Sequence, residues 1–299
     1  MTNKNWNTQN IPDQAGKVVI ITGATSGLGK EATKVFIGKG ATVIMPVRNI
    51  EKAKVVRDEI MKTNPAANIV LKSLDLSSLN SIKLFAAEIS LEYSQLDILI
   101  NNAGVMYCPY SKTQDGFEMQ MGTNHLGPYA LTAQLMPLLM QTANSRIVNT
   151  ASLAHLTGNI DFEDFNWENR KYKTMQAYAD SKIANLYFHY ALVKKLEGQG
   201  NAPRVIAAHP GWTKTELDRH IGLVGVISSI IGQKSKMGVL PTLRAATDLE
   251  AISGDYFGPS RFREMRGNPI KVKSNEMSHN VQKAEQLWQV SEKLTGIKY

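Results

Sequence analysis

The chain has one cysteine, Cys108, among 299 residues, so no disulfide can form within it. A single thiol in or near a loop suits a reducing compartment, and a cytoplasmic location is expected. Long apolar runs are also missing. The most apolar later stretch, Ile221 to Gly232, contains two serines and falls short of the ~20 residues that span a bilayer. Met1 to Gln14 is polar and rich in asparagine, without the basic start and apolar centre of a signal peptide. These features predict a soluble protein with no membrane span. The net charge is +8, yet lysines and arginines form no dense cluster, which argues against nucleic-acid binding. The histidines (His125, His155, His189, His209, His220 and His279) have no metal-ligand spacing, and no metal is expected. There is no G-x-S-x-G, which removes one common hydrolase arrangement.

What is present is alternation. Short runs rich in β-branched residues recur at Val18–Ile21, Thr42–Met45, Ile69–Leu71, Asp97–Ile100, Arg146–Asn149 and Val205–Ala208. Apolar runs without polar alternation suit strands covered on both faces. Stretches of helical length follow them, among them Leu28–Lys39, Ile50–Lys62 and Ser78–Tyr93. This order predicts an α/β fold, a doubly wound parallel sheet with helices on both faces. No repeat or low-complexity linker divides the chain, so residues 16–299 read as one domain behind a polar extension, 1–15. Two segments break the pattern. Asn159–Lys173 is acidic and aromatic, an inserted loop or a short helix. Glu216–Leu240, within a wider segment 213–241, reads either as a substrate lid or as a peripheral helix pair.

After the first strand comes Thr22-Gly23-Ala24-Thr25-Ser26-Gly27-Leu28-Gly29. Glycines between a strand and a helix allow a tight turn and a close approach of backbone to a pyrophosphate at the helix N-terminus. The second strand ends at Pro46-Val47-Arg48-Asn49, with no acid before Glu51. An acid in that region would bind the ribose hydroxyls of NAD. An arginine instead suits a 2′-phosphate, so NADP(H) is favoured over NAD(H). A surface role for Arg48 is the plain alternative.

Tyr178-Ala179-Asp180-Ser181-Lys182 places a phenol and an ammonium four residues apart, on one face of a helix. A nearby positive charge favours the phenolate, making the tyrosine a usable general acid or base. The spacing alone does not select it, because Tyr190 and Lys194 match the same pattern. Position does: Ser152 follows the fifth strand and Asn101-Asn102-Ala103-Gly104 closes the fourth, at the strand ends where such sheets bind ligands. Asp75, just past the third strand, suits either an adenine amino group or a helix cap.

In its order of motifs the chain resembles the short-chain dehydrogenase/reductases, with their Rossmann fold, and especially the branch of retinol dehydrogenases and protochlorophyllide reductases. The resemblance runs from about Gly16 to the C-terminus. It rests on Thr22–Gly29, Arg48, Asp75, Asn101–Gly104, Asn124, Ser152, Tyr178, Lys182 and Pro210-Gly211-Trp212-Thr213. It implies that Tyr178 moves the proton, that Ser152 steadies the carbonyl, and that Lys182 lowers the tyrosine pKa and holds the nicotinamide ribose. By the same resemblance Asn124 anchors a water relay to the lysine and Pro210–Thr213 covers the nicotinamide. The expected cofactor site comprises Gly23, Thr25, Ser26, Gly27, Leu28, Gly29, Arg48, Asn49, Asp75, Leu76, Asn102, Ala103, Gly104, Tyr178, Lys182 and Pro210–Thr213. Thr150-Ala151-Ser152 stands where many members have adjacent serines. The membrane anchor of many animal retinol dehydrogenases is expected to be missing, and one cysteine argues against protochlorophyllide chemistry. Relatives often dimerise through helices corresponding to Asp115–Thr142 and Met175–Gly198, which leaves a homo-oligomer open. The expectation is an NADP(H)-dependent oxidoreductase interconverting a carbonyl and an alcohol, a small molecule of hydrophobic character. A non-catalytic NADP(H)-sensing or scaffold protein on the same fold is the alternative.

Overall fold

All six apolar runs form strands in a computed structural model that describes residues 5–213 and 232–299. They are β1 (Val18–Ile21), β2 (Thr42–Val47), β3 (Asn68–Ser73), β4 (Ile98–Asn101), β5 (Arg146–Thr150) and β6 (Arg204–Ala208), joined by β7 (Tyr256–Arg261) and β8 (Arg266–Lys271). The sheet order is β3-β2-β1-β4-β5-β6-β7-β8, parallel throughout except for the antiparallel β7–β8 pair. Strand order reverses between β1 and β4, which opens a crevice at the carboxyl ends of those strands.

Strand alternation divides the core in two. Val18, Ile20, Leu99, Ile147 and Val205 face one layer, and Val19, Ile21, Ile98, Ile100, Val148 and Ile206 face the other. The second layer is closed by α1 (Gly27–Gly38), with Ala32, Phe36 and Ile37, and by α2 (Ile50–Thr63), with Ala53 and Ile60. The first is closed by α3 (Leu79–Glu92), α5 (Gly127–Gln141) and α6 (Thr174–Leu196). A short α4 (Met119–Met121) runs through a π-helical turn, Gly122–Leu126, into α5. Single π-turns inside helices are rare and cluster at functional sites.

β7 and β8 carry no continuous apolar run. Pro259 pairs with Pro269, and a register shift follows between Pro259 and Arg261. Prolines persist here because the pair forms the edge of the sheet, where a missing N–H costs least. Phe262, Arg263 and Glu264, between the strands, all have positive φ. Phe262 is 67% exposed, whereas Tyr256, Phe257 and Trp288 are buried. The turn carries its ring outward.

Residues 159–173 form turns rather than a helix. The polar start is also docked: Trp6 and Ile11 are buried, and Lys39 Nζ donates to the Ile11 carbonyl at 2.7 Å. Residues 214–231, most of the expected lid, lie outside the described residues. Of its remainder, Gln233 is fastened to the fold, followed by α7 (Ser235–Gly238) and the buried α8 (Leu240–Thr247). The C-terminal α9 (Val281–Thr295) lies across α5 and α6: Trp288 stacks on Phe188 at 5.9 Å and meets Tyr129 edge-on at 5.4 Å. No described helix is long and apolar enough to cross a membrane.

Candidate active site

The glycine-rich turn is fixed by close backbone contact. The Thr22 hydroxyl donates to the Ile100 carbonyl at 3.2 Å and accepts from the Asn102 and Ala103 amides, each at 2.9 Å. Asn102 Nδ2 returns a bond to the Thr22 carbonyl at 2.8 Å. The loops after β1 and β4 are thereby locked across the crevice. Gly23 has φ +69° and a side chain there would press on Ala103 Cα at 3.0 Å; one at Gly29 would strike the Gly23 carbonyl. Gly27, also at positive φ, opens α1. Ser26 is the N-cap residue but its side chain makes no capping bond, so the first-turn N–H groups keep their attraction for an anion. A pyrophosphate fits this cradle. Thr25 and Leu28 are half-buried within the same turn.

Arg48 and Asn49 follow β2, both exposed. Asn49 caps α2 by accepting from the Lys52 amide at 2.9 Å, which gives it a structural task. Asp75 accepts from the Ser77 amide and hydroxyl at 2.9 and 2.7 Å. That is a turn ahead of α3 and not the helix cap foreseen as its plainer role, because the capping residue of α3 is Ser78, which accepts from the Ser81 amide at 3.3 Å. Leu76 is buried in the core, its carbonyl against Gly127.

Tyr178 and Lys182 are both buried on α6, and Lys182 Nζ lies 5.5 Å from the centre of the Tyr178 ring. The ammonium approaches the carbonyl of Thr150, at the end of β5, at 3.5 Å. The same carbonyl receives a shorter bond, 3.1 Å, from Asn185. Burial pushes the Lys182 pKa down to about 8. The rival pair is arranged differently. The Tyr190 hydroxyl is bonded to Ser274 at 2.8 Å and its ring packs on His279, while Lys194 is exposed near the end of α6. Only the first pair adjoins the strand ends.

Ser152, two residues beyond β5, accepts from the Ala154 amide at 3.2 Å. His155 binds back to its carbonyl through Nδ1 at 2.6 Å. Asn124 sits in the π-helical turn, 1% exposed. Its Oδ1 accepts from the Val105 amide at 2.8 Å, and its Nδ2 donates to the Val105 carbonyl and to Ser181 Oγ, both at 2.9 Å. The whole amide thus clamps the loop after β4. A side chain at Gly104 would meet both Asn124 Oδ1 at 2.9 Å and Lys182 Nζ at 3.7 Å, so Gly104 borders the two. Asn101, the last residue of β4, donates to Asn149 and Thr132 at 3.0 Å each.

Pro210–Thr213 follows β6 and is built against the β7–β8 turn. Gly211 has φ +65° and sits against the Glu264 and Met265 carbonyls. The Trp212 amide donates to Met265 at 2.9 Å, and Thr213 Oγ1 to Pro210 at 2.7 Å. Gln233 joins this loop by donating to Trp212 and Pro210. Fully buried His209 bonds Glu264 at 2.9 Å and accepts from the Gly211 amide at 3.2 Å.

The sequence reading missed Tyr107. Its ring meets Tyr178 edge-on, centres 5.2 Å apart, from a backbone at φ +54°. For a bulky side chain this is a strained conformation, held in place only by its surroundings. Nothing in the local sequence marks it. Behind it, the carboxylate of Glu118 is fully buried, and burial raises its pKa against the opposing pull of its hydrogen bonds. Among the described residues no cluster of His, Cys, Asp or Glu suits a metal ion.

Known proteins share this architecture. The short chain dehydrogenase family profile matches residues 17–223. Retinol dehydrogenase 13 of Homo sapiens is 40% identical over 293 residues, covering 94% of this chain and 85% of that protein. Retinol dehydrogenase 12 of Mus musculus is 38% identical over 289 residues, covering 95% and 88%. An uncharacterized protein from Mycobacterium paratuberculosis superposes with a TM-score of 0.83 at 36% identity, over 98% of both chains. A protein described as a short chain dehydrogenase from Escherichia coli, complexed with NADPH, does so with a TM-score of 0.62 at 25% identity, over 79% and 92%.

Proposed function

The chain belongs to the short chain dehydrogenase family, in its retinol dehydrogenase-like branch, and from there we propose that it is an NADP(H)-dependent oxidoreductase interconverting an apolar carbonyl compound and its alcohol. The observation that carries the proposal is the buried Lys182 ammonium 5.5 Å from the Tyr178 ring. A positive charge beside a phenol favours phenolate and brings proton transfer toward neutral pH.

Roles follow from position. Tyr178 gives its proton to the carbonyl oxygen in reduction and takes it back in oxidation. Ser152 hydrogen-bonds that oxygen as charge develops on it. Lys182 sustains the phenolate and binds the ribose. Asn124 acts through the loop it clamps, keeping Gly104 beside the lysine, in addition to the water relay implied by resemblance. The turn Gly23–Gly29 binds the pyrophosphate, and Asn102, Ala103 and Pro210–Thr213 flank the nicotinamide half. When bound, the nicotinamide supplies or accepts the hydride.

Arg48, exposed beyond β2, favours the 2′-phosphate of NADP(H), and the NADPH-complexed relative supports that choice. The names of the retinol dehydrogenases support an apolar substrate. The test is turnover of a panel of apolar aldehydes, ketones and secondary alcohols with both cofactors. Consumption of NADPH in preference to NADH is expected, with Arg48→Ala weakening NADPH binding by about tenfold or more, the scale of one charge-assisted contact. Equal losses for both cofactors would remove Arg48 from the 2′-phosphate. Cofactor binding without turnover across the panel would favour the sensing role.

A further inference from the structure

The loop carrying Tyr107 is joined to the inserted segment 159–173 by a directed chain of partly buried hydrogen bonds. Tyr172 donates its hydroxyl proton to Glu118 Oε1 at 2.7 Å. That hydroxyl accepts from Gln120 Nε2 at 2.9 Å, and Gln120 Oε1 accepts from the Tyr107 amide at 2.8 Å. Each group in the series has one role that fits its chemistry, so the order of donors is fixed. Glu118 is held in turn by the Gln120 and Met121 amides at 2.9 and 2.7 Å. Its own amide donates to Asn166 Oδ1 of the insertion at 3.0 Å. Tyr172 is gripped edge-on by Tyr110 and Trp167, centres 5.2 and 5.4 Å away. Arg170 covers the Trp167 ring at 3.6 Å.

The far end of the chain is the reaction centre. Two residues before Tyr107, Val105 is pinned through both its backbone groups by Asn124. Tyr107 is therefore fixed from two sides by one segment, Glu118–Asn124. Its strained backbone turns the ring edge onto Tyr178. A loop packed merely for stability has no need to hold an aromatic residue at positive φ against the proton-transferring phenol.

We infer that Glu118, Tyr172 and Gln120 are positioning residues that hold Tyr107 as an aromatic wall beside Tyr178, and that this wall selects bulky apolar carbonyl compounds over small ones. The selection rests on the carbonyl-reductase reading; the positioning does not. The inserted segment then serves the site from behind, as a brace rather than as a contact for substrate.

The test uses Tyr172→Phe, which deletes one oxygen, and Gln120→Met, which removes the bond to the Tyr107 amide together with those to Tyr172 and the Thr174 carbonyl while leaving Tyr172 and Glu118 paired. Ring-labelled tyrosine is followed by NMR in both variants, with Tyr107 and Tyr178 assigned by loss of signal in Tyr107→Phe and Tyr178→Phe. Both signals are expected to move, while those of Tyr190 and Tyr256 stay. Unmoved Tyr107 and Tyr178 signals in both variants would overturn the positioning. In turnover, each variant should raise KM for a bulky apolar ketone by about tenfold, the scale of one well-made hydrogen bond, with little change for a small aldehyde. Tyr107→Leu should do the same, and combining it with Tyr172→Phe should add nothing further, as expected for residues acting through one another. Equal KM changes for both substrates, or additive effects, would overturn the selection. A wild-type enzyme that turns over no carbonyl would remove the functional reading and the selection with it, while the NMR result still decides the positioning.

Discussion

Lys182 shows how the site departs from what stability alone would choose. Among the described residues its buried ammonium finds only a 3.5 Å approach to a carbonyl, and that carbonyl already accepts from Asn185. The folded pKa of about 8 lies below the ordinary lysine value of 10.5. Between these two values the unfolded chain binds the extra proton, so stability rises with pH through that window, and below about 8 the charged lysine opposes folding. Lys182→Met is expected to stabilise the protein at pH 7 by ~1–3 kcal/mol in urea unfolding, while abolishing turnover. A destabilised variant would contradict this. Asp180, two residues earlier, is a second case. Burial raises its pKa from 3.8 to about 6, against the bonds from the Asn159 amide and Gln176. In this case the folded state binds the extra proton, so stability falls as pH rises from about 4 to about 6. Asp180→Asn keeps an oxygen for both donors and should flatten that slope, raising stability at pH 8 by ~1–2 kcal/mol. Melting temperatures at pH 4.5 and pH 8 check it; an unchanged slope would assign the pH dependence to another group.

At the scale of elements, α9 has the largest structural consequence. It lies over α5 and α6 and covers Phe188 and Tyr129 with Trp288. Trp288 is 3% exposed, so Trp288→Ala should cost ~3–5 kcal/mol, seen as a lower urea midpoint. A loss below 1 kcal/mol would mean that this helix adds little. Elements also show what was legible beforehand. β1 to β6 could be read because strands covered on both sides must be apolar throughout. β7 and β8 could not: their glycines and prolines resemble a turn region, and only the sheet edge makes them tolerable as strands. The insertion was visible as a break in pattern. The role proposed for it was hidden, since Tyr172 meets Glu118 and Gln120 only through contacts some fifty residues apart in sequence. Tyr107 was hidden for the same reason: its importance comes from a backbone conformation and a neighbour on another element.

At the scale of the whole molecule, strand order does the assembling. Placing β4 beside β1, with β5 beyond it, brings the glycine-rich turn, the loop Asn101–Gly104 and the residues after β5 to one edge of the sheet. The helix α6 lays Tyr178 and Lys182 against that edge. This placement separates the Tyr-x3-Lys proposed to act from its duplicate at Tyr190 and Lys194, a choice that spacing alone left open. The claim that the edge is a proton- and hydride-transfer site is tested most directly by Tyr178→Phe. NADPH binding, followed by the change in cofactor fluorescence, should remain within about twofold of wild type, while NADPH consumption with a carbonyl substrate falls by about a thousandfold or more, within the range for loss of a general acid. Turnover at the wild-type rate would contradict the account.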